Sequence, residues 1–327
     1  MARYPLFSGG NDRARVRQAR AEADQAEGDY RLTESEIILS VKEVFFDILR
    51  QQKEEKLSAD ILERRRKDLV LIKLKYRSGR ESQPAVKESE ANLLKAEYNR
   101  MAAERNLDLA QTRLNFLLGK PKNEKFKLIA PDPGADFPSR ENLLAEAPTL
   151  RPEVRAELAA REALSAQAGQ SRSGYLPSLS LFASTGFEGE EFTDQESGWR
   201  TGANLSWNLF SGFSTRSSGQ TARLRLSEQD EKIRQLRQEI ETEVMQAFNT
   251  WELARKKLEL CTKTLEAVRD MYGLTKLQYE QGSISFFFLQ QKEDALTQAE
   301  YAYLDADFAL RLAQAGLEKA WGKDGAS

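Results

Sequence analysis

The sequence predicts a mainly α-helical protein with a small β part, organised as two tandem copies of a strand followed by a long helical hairpin. Three observations predict it: an internal repeat offset by 203 positions, long proline-free charged stretches with a heptad seam, and two short segments that alternate. The repeat is ungapped. "YPLFSGG" (4–10) returns as "WNLFSGF" (207–213), so that Leu6, Phe7, Ser8 and Gly9 fall on Leu209, Phe210, Ser211 and Gly212. Further along, Glu36, Val41 and Phe45 fall on Glu239, Val244 and Phe248, and Lys73, Tyr76 and Gly79 fall on Lys276, Tyr279 and Gly282. Chance helical similarity drifts out of register over such a length, so this is a duplication.

The first copy covers 1–118. Residues 1–8 read as a partial strand and 11–118 as a helical hairpin with its tip near 78–82. From Asn11 to Arg77 there is no proline and glycine only at Gly28, room for a helix of roughly 100 Å. "YRSGRES" then ends that helix at Gly79, because glycine accepts the left-handed backbone of a helix C-terminus. Residues 119–140, proline-rich, form an irregular linker.

The second copy covers 141–327. It opens with a helix over 141–173, its continuity in question at Pro148 and Pro152. Two alternating segments follow, 175–187 and 199–210. In the second, Ala203, Leu205, Trp207 and Leu209 share one face, against Asn204, Ser206 and Asn208. In the first, Leu179, Leu181 and Ala183 oppose Ser180 and Ser184, and Phe182 breaks the pattern. Periodicity alone allows a small edge sheet packed on helices or a membrane strand pair with its apolar side to lipid. The second hairpin spans 212–322, with its tip near 281–285 ("YEQGSIS"). Val244, Ala247, Trp251, Ala254, Leu258, Cys261, Leu265, Val268 and Tyr272 step by three and four, the seam of helices packed side by side. Cys261 on that seam reads as a packing residue.

Composition removes several functions. The chain has no histidine, one cysteine and a net charge of −2. That excludes a Cys/His metal site, histidine-based catalysis and the cationic field that nucleic acid requires. No catalytic constellation, cofactor site or nucleotide loop is visible, so no enzyme is expected. No run of 18 apolar residues exists for a membrane-spanning helix.

The junctions "LFSGG" and "LFSGF", the block "RPEVRAELAA…SGYLPSLSLFASTGF" (151–187) and the tips "YRSG" and "YEQG" carry a resemblance to the TolC-like family of outer-membrane efflux proteins. The resemblance covers nearly the whole chain. It implies a homotrimer whose strands contribute to one membrane β-barrel in outer-membrane lipid and whose helices form a coiled-coil tube in the periplasm. It also implies a passive duct for efflux or type I secretion, working with a periplasmic adaptor (a membrane fusion protein) and an inner-membrane pump. A soluble periplasmic coiled-coil adaptor or scaffold is the alternative, disfavoured because adaptors usually carry one hairpin. By the duplication roughly 66 residues should precede Tyr4, so a chain lacking its N-terminal part is expected.

A duct works by geometry, and the tips are the expected constriction. The resemblance makes Tyr279 a tyrosine that helps hold the entrance closed, with Tyr76, Gly79 and Gly282 as the other tip positions. Acidic residues six and nine positions after the tip glycine ring the pore in the best-known relatives. Here those positions hold Phe288 and Gln291, and Ala85 and Glu88, so only Glu88 keeps the character. Phe286, Phe287 and Phe288 cannot share one seam, since successive side chains turn by about 100°. They read as an apolar gate, a partner contact or packing. Leu205, Trp207 and Leu209 are the expected lipid-facing residues. The run "LERRRKDL" (62–69) reads as a solvated helix face, with Arg64, Arg65 or Arg66 as an alternative adaptor contact, and Glu293 and Asp294 read equally as charge supplied to the pore or as ordinary surface charge.

Overall fold

The structure, a computed structural model, describes residues 2–121, 124–129, 137–188 and 196–323. The elements run β1 (Ala2–Phe7), α1 (Asn11–Arg77), α2 (Gln83–Leu117), α3 (Arg140–Leu150), α4 (Pro152–Ser173), β2 (Ser178–Glu188), β3 (Glu196–Ser206), α5 (Ser214–Glu280) and α6 (Phe286–Trp321). Among the described residues the molecule is mainly helical with one small sheet. Helices α1 and α5 have 67 residues each, and α2 and α6 have 35 and 36. A break at Arg151 divides the helical stretch of 140–173. Pro152 starts α4, and the residue before a proline is pushed out of helical geometry, as its ψ of 128° records. Pro148, by contrast, is accommodated inside α3.

The chain divides into two compact units. The first comprises Met1–Thr33 and Ala147–Thr242. Its sheet is antiparallel in the order β1-β2-β3. Pro5 lacks an amide donor and sits on the edge strand β1, at the start of a register shift. Phe182, which broke the alternation, lies opposite Gly202. A Cβ there would meet the phenylalanine ring at 2.9 Å, so the ring covers the space glycine leaves. The sheet is inverted relative to one that covers a water-soluble core. Ser180 on the polar face is buried and accepts from Arg3 Nε at 3.1 Å, whereas Tyr4, Leu181 and Leu205 on the other face are exposed. Helix packing in this unit relies on small residues. Gly28 of α1 leaves so little room that a Cβ would lie 2.8 Å from Ala156 Cβ of α4, and Ala21, Ala156, Ala166 and Ala222 are buried.

The duplication is visible in the backbone of the strand-to-helix junctions. Gly9 and Gly212 have φ of +63° and +59°, and the next residues, Gly10 and Phe213, have +84° and +67°. The Oγ of Ser8 and of Ser211 each accepts the N–H four residues on, from Asp12 and Thr215, at 3.3 Å. The second copy thus holds a phenylalanine in a conformation that suits glycine.

The second unit comprises Glu34–Glu146 and Glu243–Ser327. Ile48, Ala110 and Leu114 form one buried cluster, closed by Phe126 and Leu128 of the irregular segment. That segment is tied down by Gln52 and Gln111, which both donate to Phe126 O, and by Asn115, which donates to Glu124 O. Phe137 stacks edge-on against Trp251 at 5.2 Å. Toward the tips lie two more clusters, one around Ile61, Leu62 and Ala96, the other containing both ends of the hairpin turns.

Candidate functional site

Both tips fold by the same local chemistry. At the first, Gly79 (φ +70°) donates to Tyr76 O at 3.0 Å and Arg80 N–H to Lys75 O at 2.9 Å. At the second, Gly282 (φ +81°) donates to Tyr279 O at 3.0 Å and Ser283 N–H to Gln278 O at 2.9 Å. These paired bonds satisfy carbonyls at the helix ends and require a left-handed residue between them. The returning helices are capped alike: Ser82 Oγ accepts from Ala85 N–H, and Ser285 Oγ from Phe288 N–H.

The two tips meet through Tyr279. Its ring is 2% exposed and packs with Ile72, Ala85, Val86, Tyr272, Phe286, Leu289 and Leu296. Its hydroxyl donates to Glu81 Oε2, in the turn of the first hairpin, at 2.8 Å. Lys75 of α1 donates to the Tyr279 carbonyl and lies 3.8 Å from its ring centroid, adding a cation–π contact. Burial, then the acceptor Glu81, push the hydroxyl's pKa upward, which keeps it a donor. Glu81 falls within the expected tip at 78–82, but nothing in the first hairpin's sequence marks it or Lys75 as facing the second.

The other candidate residues separate by exposure. Phe286 is 7% exposed and belongs to the core, whereas Phe287 is 72% exposed and Phe288 41%. The three phenylalanines therefore do not act as a block. Tyr76 and Glu88 are exposed at the first hairpin. Leu205 lies in β3 with its side chain exposed, while Trp207 and Leu209 lie just beyond the end of β3, also exposed. Trp207 Nε1 donates to Tyr175 O at 3.2 Å, which fixes that ring at the strand's end.

The arginine run corrects an expectation. Arg64 and Arg65 are not on a solvated face; they are turned into the second unit and paired with α6. Arg64 makes a two-pronged contact with Glu300 at 2.9 and 2.6 Å. Arg65 donates to Glu293 at 2.5 Å, to Asp294 at 2.7 Å and to Gln290 at 3.0 Å. Only Arg66 of the three stays largely exposed, at 3.7 Å from Glu97. Glu293 is likewise not surface charge, being buried to 2%. Burial pushes its carboxyl up to about 7; Arg65 and Arg64 pull it down, and Asp68 adds to the rise. Asp68 in turn accepts from Lys276 of α5 at 3.3 Å. A signal for this network was present. Ser58, Ile61, Arg65, Asp68 and Ile72 are buried at steps of three and four, as are Phe286, Leu289, Glu293, Leu296 and Glu300. The charges occupy seam positions.

Comparison with known proteins bears on the family and the fold. The family model for "Outer membrane efflux protein" matches residues 1–120 and 143–323. The alkaline protease secretion protein AprF of Pseudomonas aeruginosa is 26% identical over 341 residues, which cover 97% of this chain and 68% of AprF. In fold, the chain is similar to the outer membrane protein VceC of Vibrio cholerae, with a TM-score of 0.83 at 17% identity, over 98% of this chain and 78% of that one. It is also similar to the open state of the Neisseria gonorrhoeae outer membrane channel MtrE, with a TM-score of 0.80 at 21% identity, over 99% and 74%.

Proposed function

The chain belongs to the outer membrane efflux protein family, and from that premise we propose a trimeric duct whose periplasmic entrance is held shut by the paired tips. It is an outer-membrane channel of the efflux and secretion type, with its helices in a periplasmic tube. Three copies close one barrel, which leaves no unpaired backbone in lipid. The exposed apolar face of Tyr4, Leu181 and Leu205 supports lipid contact for the sheet.

The observation that carries the gate is the Tyr279–Glu81 bond, which joins the turn of one hairpin to the end of the other. Opening separates these two turns, so it must break that bond and move Lys75 from the Tyr279 ring. Phe287, exposed beside the turn, faces either the lumen or a periplasmic adaptor. The duct contributes no chemistry to its cargo; an inner-membrane pump and the adaptor select and drive it. Because AprF is an alkaline protease secretion protein, a secreted polypeptide is the second reading for the cargo, beside small-molecule efflux.

The test is extraction of the full chain from membranes, measurement of its mass in detergent and recording of its conductance in planar lipid bilayers. A trimer with long closed intervals is expected. A water-extractable monomer that never conducts would leave the scaffold reading in its place.

A further inference from the structure

The net charge of −2 conceals a segregation in the first unit, where the sheet meets the helices. Arg13 and Arg20 of α1 fall on Arg216 and Arg223 of α5 under the 203-residue offset, and Arg15, Arg17 and Arg225 lie beside them in the sequence. Arg172 sits in the last turn of α4. All eight arginines are exposed, and no side chain of the eight has a hydrogen bond or ion pair with a described residue. Segments 11–20, 165–173 and 214–225 together hold one acid, Asp12, and no lysine. The three helix ends come together. A Cβ on Gly9, just before α1, would lie 2.9 Å from Ser173 O of α4, and one on Gly174 would lie 3.0 Å from Thr215 Cγ2 of α5.

Local physics opposes cations at these places. Arg13 and Arg216 are each the third residue of a helix, where the positive end of the dipole favours acids. The first turn of α5 holds no acid, and Asp12 of α1 is already engaged by the Ser8 hydroxyl, which donates to it at 2.6 Å. An anion from outside the chain would satisfy both the guanidinium groups and the helix N-termini. On the sheet side lie Tyr175, Trp207, Leu209, Phe210 and Phe213, all exposed. Phe213 keeps φ +67°, and although its ring meets Phe210 edge-on at 5.7 Å it stays exposed, so packing within the chain does not account for it. Residues 205–215 carry no charge, and Leu205 of the sheet's exposed apolar face leads directly into them. Aromatic rings beside a row of arginines match a membrane interface, with rings at headgroup level and guanidinium forks on phosphate oxygens.

We propose that this layer docks on the periplasm-facing leaflet of the outer membrane, its arginines holding the phosphate groups of anionic phospholipids and its aromatic residues seated among the headgroups. The proposal rests on the outer-membrane reading above and adds to it the headgroup chemistry. A zwitterionic headgroup carries an ammonium beside its phosphate, which cancels part of the attraction; an anionic one leaves it whole. Because one arginine pair recurs in each copy, every chain grips the leaflet at the start of both long helices. That grip sets the depth at which strands give way to helices.

The experiment takes the full chain in detergent, adds phosphatidylglycerol or phosphatidylcholine, and reads retained lipid by native mass spectrometry and amide exchange over 11–20 and 214–225. Wild type should retain phosphatidylglycerol about tenfold more tightly, an advantage that fades toward about 0.5 M salt, and only that lipid should slow the exchange. Arg13→Gln, Arg20→Gln, Arg216→Gln and Arg223→Gln together should bring the ratio within about twofold. Either pair alone, the α1 or the α5 one, should lower it about threefold, which decides the matter if the fourfold variant fails to fold. Removing four exposed cations of the second unit instead, by Arg105→Gln, Arg113→Gln, Lys257→Gln and Arg269→Gln, should leave the ratio unchanged. A wild type that holds both lipids alike, or a second-unit variant that loses the ratio equally, overturns the proposal and leaves the channel reading standing. A fourfold variant that keeps the ratio but shifts the ion selectivity of the conductance puts the arginines in the lumen and overturns it too. A chain that takes up neither lipid overturns both.

Discussion

Replacing Tyr279 with phenylalanine isolates the bond between the two tips. The ring still fills the cluster of Ile72, Phe286 and Leu289, and only the hydroxyl donated to Glu81 Oε2 at 2.8 Å is lost. A neutral donor to a carboxylate is worth roughly 1.5–3 kcal/mol. Glu81 is half-buried and its other oxygen already accepts Ser82 N–H at 3.0 Å, so water replaces the lost donor easily. The lower end applies, about 1.5 kcal/mol, which is about tenfold in an equilibrium. Tyr279→Phe should therefore raise the open fraction in planar bilayers about tenfold, and quicken amide exchange at 80–83 and 281–285 by the same factor. Glu81→Gln should do part of this. Tyr279→Ala empties a core position, costs about 3–5 kcal/mol and serves as the packing control. If Tyr279→Phe stays within about twofold of wild type while Tyr279→Ala alone disrupts the tip, ring packing holds the tips together and the argument for the hydroxyl fails.

Further outcomes are expected at other positions. Gly282→Ala, at φ +81° with open space around it, should cost about 1–2 kcal/mol of backbone strain by urea denaturation. Gly316→Ala, inside α6 and equally open, should gain about 1 kcal/mol; equal effects at the two sites would dismiss the turn geometry. Gly28→Ala puts a methyl 2.8 Å from Ala156 Cβ and should destabilise the first unit by about 1–3 kcal/mol, read as faster exchange in 20–33 and 152–160. Phe213→Gly should be about 1 kcal/mol more stable than Phe213→Ala, since both lose the Phe210 contact but only glycine relaxes at φ +67°. The melting temperature should fall as pH rises from about 5 through about 7, because folded Glu293 keeps a proton that the unfolded chain, titrating near 4.3, has released; Glu293→Gln should flatten this slope.

The fold class was legible because the duplication repeats every structural cue. Glycines at turn positions, serines at caps and proline-free charged stretches recur 203 residues apart, so each weak signal is read twice. The strands were harder. Phe182 breaks the alternation unless Gly202 is known to lie opposite, and cross-strand pairing is not written in either strand alone. The candidate site was half legible. Tyr279 and the tip glycines stand out by motif, but Arg65 and Asp68 read as solvated, and Glu293 as either pore or surface charge, because charge on a long helix usually meets water. Their places on the three-and-four seam outrank their charge. Only a partner helix carrying the opposite charge at the facing position makes their burial affordable, and that pairing spans more than 200 residues.

The equal length of the two long helices, α1 and α5, also restricts how this chain can change. One added residue in α1 would carry everything beyond it forward by about 1.5 Å and around by about 100°, turning Arg65 and Asp68 away from α6. Seven residues restore the facing to within about 20° but lengthen that arm by about 10 Å, and Glu81 then overshoots Tyr279. The bond survives only if the same insertion is made in the 67 residues of α5, with matching ones in both returning arms. Size in this molecule is thus inherited in matched fours, and a lineage that lengthens or shortens must do so by whole heptads in every arm together.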